Sequence, residues 1–173
     1  FPDLLYAKIL TSPYAHARIK SIDYSEAEKL TGVEAIVTGK DFPVKIGLYA
    51  GDRDILAVDR VIWVGQPVVA VAAKDEKIAE RAISLIKVEY EELPAILSPR
   101  EAKDNTEILV HPDLADYDHL SAFTPKPGTN IANHFKLRKG EIEKGFSKAD
   151  YISEGEYQMP QVSHAYMETI TSI

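Results

Sequence analysis

Val61-Ile62-Trp63-Val64-Gly65-Gln66-Pro67-Val68-Val69-Ala70-Val71-Ala72-Ala73 is the densest signal in the chain. Two apolar runs rich in β-formers flank a Gly-Gln-Pro interruption. Immediately afterwards Asp75 can cap a helix whose Ile78, Ala79, Ala82, Ile83 and Ile86 form an i, i+1, i+4, i+5, i+8 stripe. Lys87 to Glu91 then alternates as a strand before Leu93-Pro94. Strand, helix and strand in this order predict a β-α-β unit with a helix packed on a sheet.

Upstream, Leu4 to Thr11 reads as a strand, Ser12-Pro13-Tyr14 interrupts it, and Ala17 to Asp23 alternates as a second strand. Ser25-Glu26-Ala27-Glu28 has the spacing of a capping box, which predicts a short helix that Gly32 can end in the left-handed conformation. Val33 to Val37 follows as a strand. Downstream, Ser98-Pro99-Arg100-Glu101 is a second capping box, with proline at the first helical position. Residues 105–129 carry Pro112, Pro125, Pro127 and Gly128 without a clear period, and read as a long surface connection. Strand signals return at Asn130 to Lys139, a short helix is expected around Glu141 to Lys148, and a strand from Tyr151 to Met159. The expected organisation is a first domain over 1–104, a connection over 105–129, and a strand-rich link into a further domain over 130–173.

Composition bounds the function. The chain has 173 residues, 20 Lys+Arg against 27 Asp+Glu, and a net charge of 20 − 27 = −7. Phosphate binding needs a basic face, and no Lys/Arg cluster occurs, so nucleic acid is not an expected partner. No apolar run is long enough to span a bilayer and no signal peptide is visible, which makes cytoplasm the default location. With 0 Cys there is no disulfide, thiolate nucleophile or cysteine-held cluster. The first residues, Phe1-Pro2-Asp3, lack an initiator Met, and the N-terminus reads as trimmed.

Motif chemistry is sparse. Neither phosphate-loop pattern occurs, no two of the 5 His stand at i+3 to i+5, and no Gly-x-Ser-x-Gly elbow surrounds a serine. These absences leave no catalytic residue and no metal ligand to nominate. Three places remain open to two readings. Gly65-Gln66-Pro67 is either a corner between strands or a contact point for a partner domain or cofactor. His16 and Arg18 would share a face of an extended segment, either hydrogen-bonding nearby backbone or holding an anion. His164 and Glu168 point the same way in helix or strand, as a site fragment or as ordinary surface.

Several of these segments, taken in order, resemble a known family. Leu5-Tyr6-Ala7-Lys8-Ile9-Leu10-Thr11-Ser12-Pro13-Tyr14-Ala15-His16-Ala17-Arg18-Ile19 is similar to the opening of the large, molybdenum-binding subunit of the xanthine dehydrogenase and aldehyde oxidase family. The resemblance continues through Asp23, Gly32-Val33, Leu56-Ala57, the 61–68 run, the helix from Ala79 to Ile83, and Val88 to Ala95. Lys139 to Phe146 and Ala149-Asp150 look like the link into the first molybdopterin-binding region, and His164-Ala165-Tyr166-Met167-Glu168 resembles its opening.

The resemblance implies an α+β fold. An α/β hammerhead domain, a mixed sheet with packed helices, would precede the start of a molybdopterin-binding domain. It places Gln161, His164 and Glu168 near the cofactor. Some members carry a Gln two residues before the His, where this chain has Val162 and Gln161 stands one position off. It further implies molybdenum–molybdopterin in the full-length protein, with iron–sulfur clusters and flavin (FAD) on partner subunits or domains, for the oxidation or hydroxylation of an aldehyde, a heteroaromatic or a carbon monoxide-like substrate. Carbon monoxide dehydrogenase large chains belong to the same group, so the substrate class stays open. The family's base, a late Glu, lies outside these residues. The 173 residues alone are then expected to bind no cofactor and to be inactive. The alternative is a stand-alone assembly module that docks the other subunits of such a complex.

Overall fold

The computed structural model describes every residue except Phe1, Gln161, His164, Tyr166, Thr169, Thr171 and Ile173. It divides into two compact units, residues 1–135 and 136–173.

In the first unit, the apolar run of the 67–73 region becomes strand β7, Pro67–Ala73, and lies at the centre of a sheet. To keep labels in chain order, the strands before it are β1 (Tyr6–Thr11), β2 (Ala17–Asp23), β3 (Val33–Thr38), β4 (Lys45–Ile46), β5 (Arg53–Asp54) and β6 (Arg60–Val61). β1 and β3 flank β7, both antiparallel, in the order β1-β7-β3. Val68, Val69, Val71 and Ala73 are buried, as a strand covered on both faces requires. Pro67 stands at the first position of the strand, where a missing N–H costs no ladder bond. Opposite it the register slips between Leu10 and Thr11, a local bulge.

Helix α2, Glu76–Leu85, begins where the apolar stripe predicts. The Asp75 carboxylate accepts from the Lys77 N–H at 2.8 Å. Its buried positions are Ala79 and Ala82, and their small side chains let the helix lie close against the β1-β7-β3 sheet. Strand β8, Lys87–Glu92, follows one residue later. Here the β-α-β expectation needs correction, because β8 does not join the sheet of β7. Both edges of β7 are taken, so β8 pairs antiparallel with β2 in a second sheet, β6-β2-β8. The core is formed by Ala17, Ala27, Ala57, Val61, Val68, Val69, Val71, Ala82 and Ile86, drawn from both sheets and the helices. β4 and β5 make a separate hairpin.

Local chemistry at the helix starts is mixed. The short helix α1, Ser25–Glu28, is not held by the predicted capping box. Ser25 is already inside the helix, and the Glu28 N–H is bonded to the Tyr24 carbonyl at 3.0 Å. The Asp23 carboxylate instead accepts from the Ser25 N–H at 3.0 Å, and that bond holds its pKa below the usual carboxylate range. Gly32 has φ +96°, the left-handed turn expected after this helix. At helix α3, Pro99–Asp104, Ser98 Oγ does accept from the Glu101 N–H at 3.1 Å.

Gly39 closes β3 for a reason of space. A Cβ built there would fall 2.6 Å from the Leu56 carbonyl oxygen and also against that of Ala57. The Thr38 N–H and hydroxyl both donate to Asp41 Oδ2, at 2.7 and 2.9 Å, which fixes the turn.

Residues 105–135 contain no helix or strand. They are nonetheless more than a surface connection, because Leu114 and Tyr117 are buried. Side-chain amides substitute for secondary structure there. Asn130 accepts from the Val110 N–H at 2.8 Å and donates to the carbonyls of Asn105 and Ile108 at 3.0 and 2.9 Å. The strands expected at 61–64, 130–139 and 151–159 do not form as predicted. The first survives only as β6 and ends at Val61, and the other two find no pairing partner among the described residues. A strand exists by pairing, and period-2 patterning cannot supply the neighbour. In the second unit, helix α4, Ile142–Ser147, forms within the expected range.

Four substitutions separate the effects at work. Gly39→Ala forces a methyl against backbone and is expected to cost about 3 kcal/mol, the upper end for overpacking. Asp75→Ala removes a working cap and is expected to cost about 1 kcal/mol. Ser25→Ala should lower stability less than Asp23→Ala, which removes the acceptor of the Ser25 N–H. Chemical denaturation of the four variants checks the ranking.

Candidate functional site

Gly65, Gln66 and Pro67 form the corner between β6 and β7. Gly65 has φ +89°, and a Cβ there would meet no atom within 4 Å, so the glycine serves the backbone turn alone. The Gln66 side chain is buried, 2% exposed. Its Oε1 accepts from the Ile62 N–H at 2.7 Å, and its backbone N–H donates to the Trp63 carbonyl at 3.3 Å. The corner is tied to the end of β1 by two backbone bonds, Ser12 N–H to the Gln66 carbonyl (2.9 Å) and Gly65 N–H to the Ser12 carbonyl (2.8 Å). Trp63 and Val64 are exposed beside it. Within this unit the three residues fasten β1, β6 and β7 together.

His16 and Arg18 do not converge on an anion. His16 Nδ1 lies 2.7 Å from the Pro94 carbonyl, so that nitrogen carries the hydrogen and donates it. Arg18 stands opposite Glu91 in the β2–β8 register, with Nε 3.8 Å from its carboxylate, and Lys20 reaches the same group at 3.2 Å. The guanidinium is committed to a carboxylate of the neighbouring strand. Close by, Tyr14 and Tyr90 pack with ring centroids 5.2 Å apart, and burial pushes the Tyr90 hydroxyl up from its ordinary value.

Sequence reading missed a cluster around His111. The His111 ring meets Tyr117 edge-on, centroids 5.6 Å apart, with Nδ1 3.2 Å from the phenol oxygen. Lys45 Nζ sits 5.4 Å from the Tyr117 ring centroid and pairs with Asp54 at 2.8 Å. Arg60 pairs with Asp113 at 3.6 Å. Burial lowers the His111 pKa, Arg60 and Lys45 push it the same way, and Asp52 and Asp113 oppose them. Burial likewise raises the Tyr117 pKa. The arrangement fastens the β4–β5 hairpin, β6 and residues 111–117 to one another. Its members come from segments far apart in the chain, and no local motif announces them.

Of the residues expected near a cofactor, Gln161 and His164 lie outside the described residues. Glu168 is exposed, as are Val162 and Met167. No group of three or more His, Cys, Asp or Glu able to hold a metal occurs among the described residues. No helix among them is long and apolar enough to cross a membrane.

Similarity to known proteins extends these observations. Residues 1–94 match the family model described as aldehyde oxidase and xanthine dehydrogenase, a/b hammerhead domain, and residues 123–173 match that of the molybdopterin cofactor-binding domain. A probable xanthine dehydrogenase subunit of Bacillus subtilis (strain 168) is 39% identical over 171 residues, which are 98% of this chain and 21% of that protein. Among solved structures, a Cu,Mo-CO dehydrogenase in its carbon monoxide reduced state superposes with TM-score 0.57 at 40% identity, over 60% of this chain and 14% of that one. Quinoline 2-oxidoreductase from Pseudomonas putida 86 gives 0.56 at 38%, over the same shares of 60% and 14%. The two small sheets, with a helix packed on the first, are thus an α/β hammerhead, in an α+β chain. The chain belongs to the aldehyde oxidase and xanthine dehydrogenase family. It spans about a fifth of the length of the Bacillus relative.

Gln66→Leu leaves the Ile62 N–H buried without its acceptor and is expected to cost about 1–3 kcal/mol. A lowered denaturation midpoint at unchanged slope checks this. Gly65→Ala should cost about 1–2 kcal/mol through backbone strain alone. His111 has a folded pKa below its unfolded value of 6.5, so its contribution is fully present above pH 6.5. It declines as pH falls through 6.5 toward the folded value, because the unfolded chain binds the proton first. His111→Gln should flatten that part of the stability–pH profile, measured by thermal unfolding.

Proposed function

We propose that this chain is the hammerhead domain and leading edge of the molybdopterin site in a molybdenum hydroxylase large subunit. The whole protein would oxidise or hydroxylate an aldehyde, a heteroaromatic or a carbon monoxide-like substrate. One observation carries the reading, namely that the hammerhead and cofactor-binding models match in succession along one chain. The first unit acts as structural support, with Gly65, Gln66 and Pro67 holding its strands in register. Gln161, His164 and Glu168 stand near the molybdopterin, and iron–sulfur and flavin partners receive the electrons.

The described residues do not by themselves enclose such a group. In residues 136–173 a cavity of about 450 Å³ is lined by Ile142, Phe146, Ala149, Tyr151 and Ile152, without a charged side chain to meet a phosphate or a metal. Tyr157, Met159, Val162 and Met167 are all more than four-fifths exposed, which fits a surface covered by further parts of the large subunit. When bound, a molybdenum–molybdopterin group supplies the two-electron oxidation. This chain contributes binding surface rather than a proton-transfer residue.

Two measurements test the proposal. In the full-length protein, His164→Ala with Glu168→Gln should lower molybdenum content, by mass spectrometry, by about tenfold or more, as loss of supporting contacts does at metal sites. Unchanged content would remove these residues from the site. The 173-residue chain alone, supplied with molybdopterin, an aldehyde and an electron acceptor, should show no turnover. Turnover would overturn the supporting role.

A further inference from the structure

We propose that the first unit contains a buried binding site for one water molecule, between His16 and residues 108–110, and that this water ties the 108–110 segment to β2. The site is a cavity of about 20 Å³ lined by Ala15, His16, Ile62, Ala95, Ile108 and Val110, with Ile96 beside them. A cavity needs roughly 10–15 Å³ of such space for a water, so this one holds a single molecule. His16 Nε2 is sealed from solvent and has no hydrogen-bond partner among the described residues.

The chemistry of that nitrogen selects the occupant. Because Nδ1 donates to the Pro94 carbonyl, Nε2 of the neutral ring is a lone-pair acceptor and needs a donor. Apart from His16, every lining side chain is aliphatic and has none to give. Three of the lining backbone N–H groups are already committed, that of Ile62 to Gln66 Oε1, that of Ile108 to Asn105 Oδ1 and that of Val110 to Asn130 Oδ1. A donor small enough for the space, able also to accept, is water. Its second hydrogen requires an acceptor, and the backbone carbonyl of Ile108, one of the lining residues, has the capacity for it. That carbonyl accepts from Asn130 Nδ2 and keeps another lone pair. Four stretches of chain meet at the site: the start of β2, the residue after β6, the segment after β8, and 108–110. A bridging water here adds to the Asn130 bonds a link between this segment and the start of β2.

The test uses the intact 173-residue chain. A crystal structure at high resolution should show a well-ordered water about 2.7–3.2 Å from Nε2. In solution, magnetisation transfer from a long-lived water to the His16 ring proton and the Ile108 and Val110 methyl groups should be present. The ¹⁵N shift of Nε2 should be that of an unprotonated, hydrogen-bonded nitrogen. A dry cavity in the crystal, absence of the transfer, or an Nε2 that carries the proton and donates it to a backbone carbonyl would each overturn the site.

Discussion

A strand has two edges, and β7 uses both of them inside one sheet. That constraint decides the rest of the first unit. With β1 and β3 already paired to β7, the chain leaving α2 cannot return beside it, and β8 is sent to β2. One helix thereby joins two sheets, and Val61, Val68, Val69 and Val71 pack into a common core. Burying each such side chain contributes about 1.5–3 kcal/mol. Ion pairs such as Lys8–Glu76 and Lys20–Glu91 lie on the exposed outer faces, where water screens them. Packing around β7 outweighs surface charge in holding the fold.

Where strands stop, side-chain amides take over. Gln66 accepts the N–H that Ile62 would otherwise have given to a neighbouring strand, and Asn130 plays a comparable part for residues 105–110. Both are buried or half-buried amides, each able to donate and accept at once. An irregular backbone can therefore pack against the sheets without leaving polar groups stranded. The region after α3 is ordered by this means even though it has no periodic pattern.

The sequence was legible where structure is local. β7, α2, β8 and the caps at Asp75 and Ser98 depend on residues within one turn or one strand, and each formed as the pattern predicts. Ser25 misled because it is already the first helical residue, behind Tyr24, and its own N–H goes to the Asp23 carboxylate. The 61–64 run has strand composition, yet Gln66 folds back on it and ends the strand at Val61. Residues 130–139 and 151–159 have strand periodicity without a partner to pair with. Family resemblance reached further than motif chemistry, since order along the chain survives where no single residue is diagnostic. The His111 cluster was invisible for the opposite reason. Its members are ordinary charged and aromatic residues, brought together only by the fold. Glu91, similarly, neutralises Arg18 from another strand, and no reading of 14–18 alone could reveal it.

The exposed apolar side chains have a consequence for the chain in solution. In the 173 residues taken alone, Leu48 and Tyr49 beside the β4–β5 hairpin, and Tyr157, Met159 and Met167 further on, present adhesive surface. At neutral pH the net charge of −7 on these residues opposes association of copies. Near the isoelectric point, about 5.2, that repulsion vanishes while the adhesive surface stays. Colloidal stability and the contribution of neutral His111 to folding therefore decline over the same mildly acidic range, for unrelated reasons.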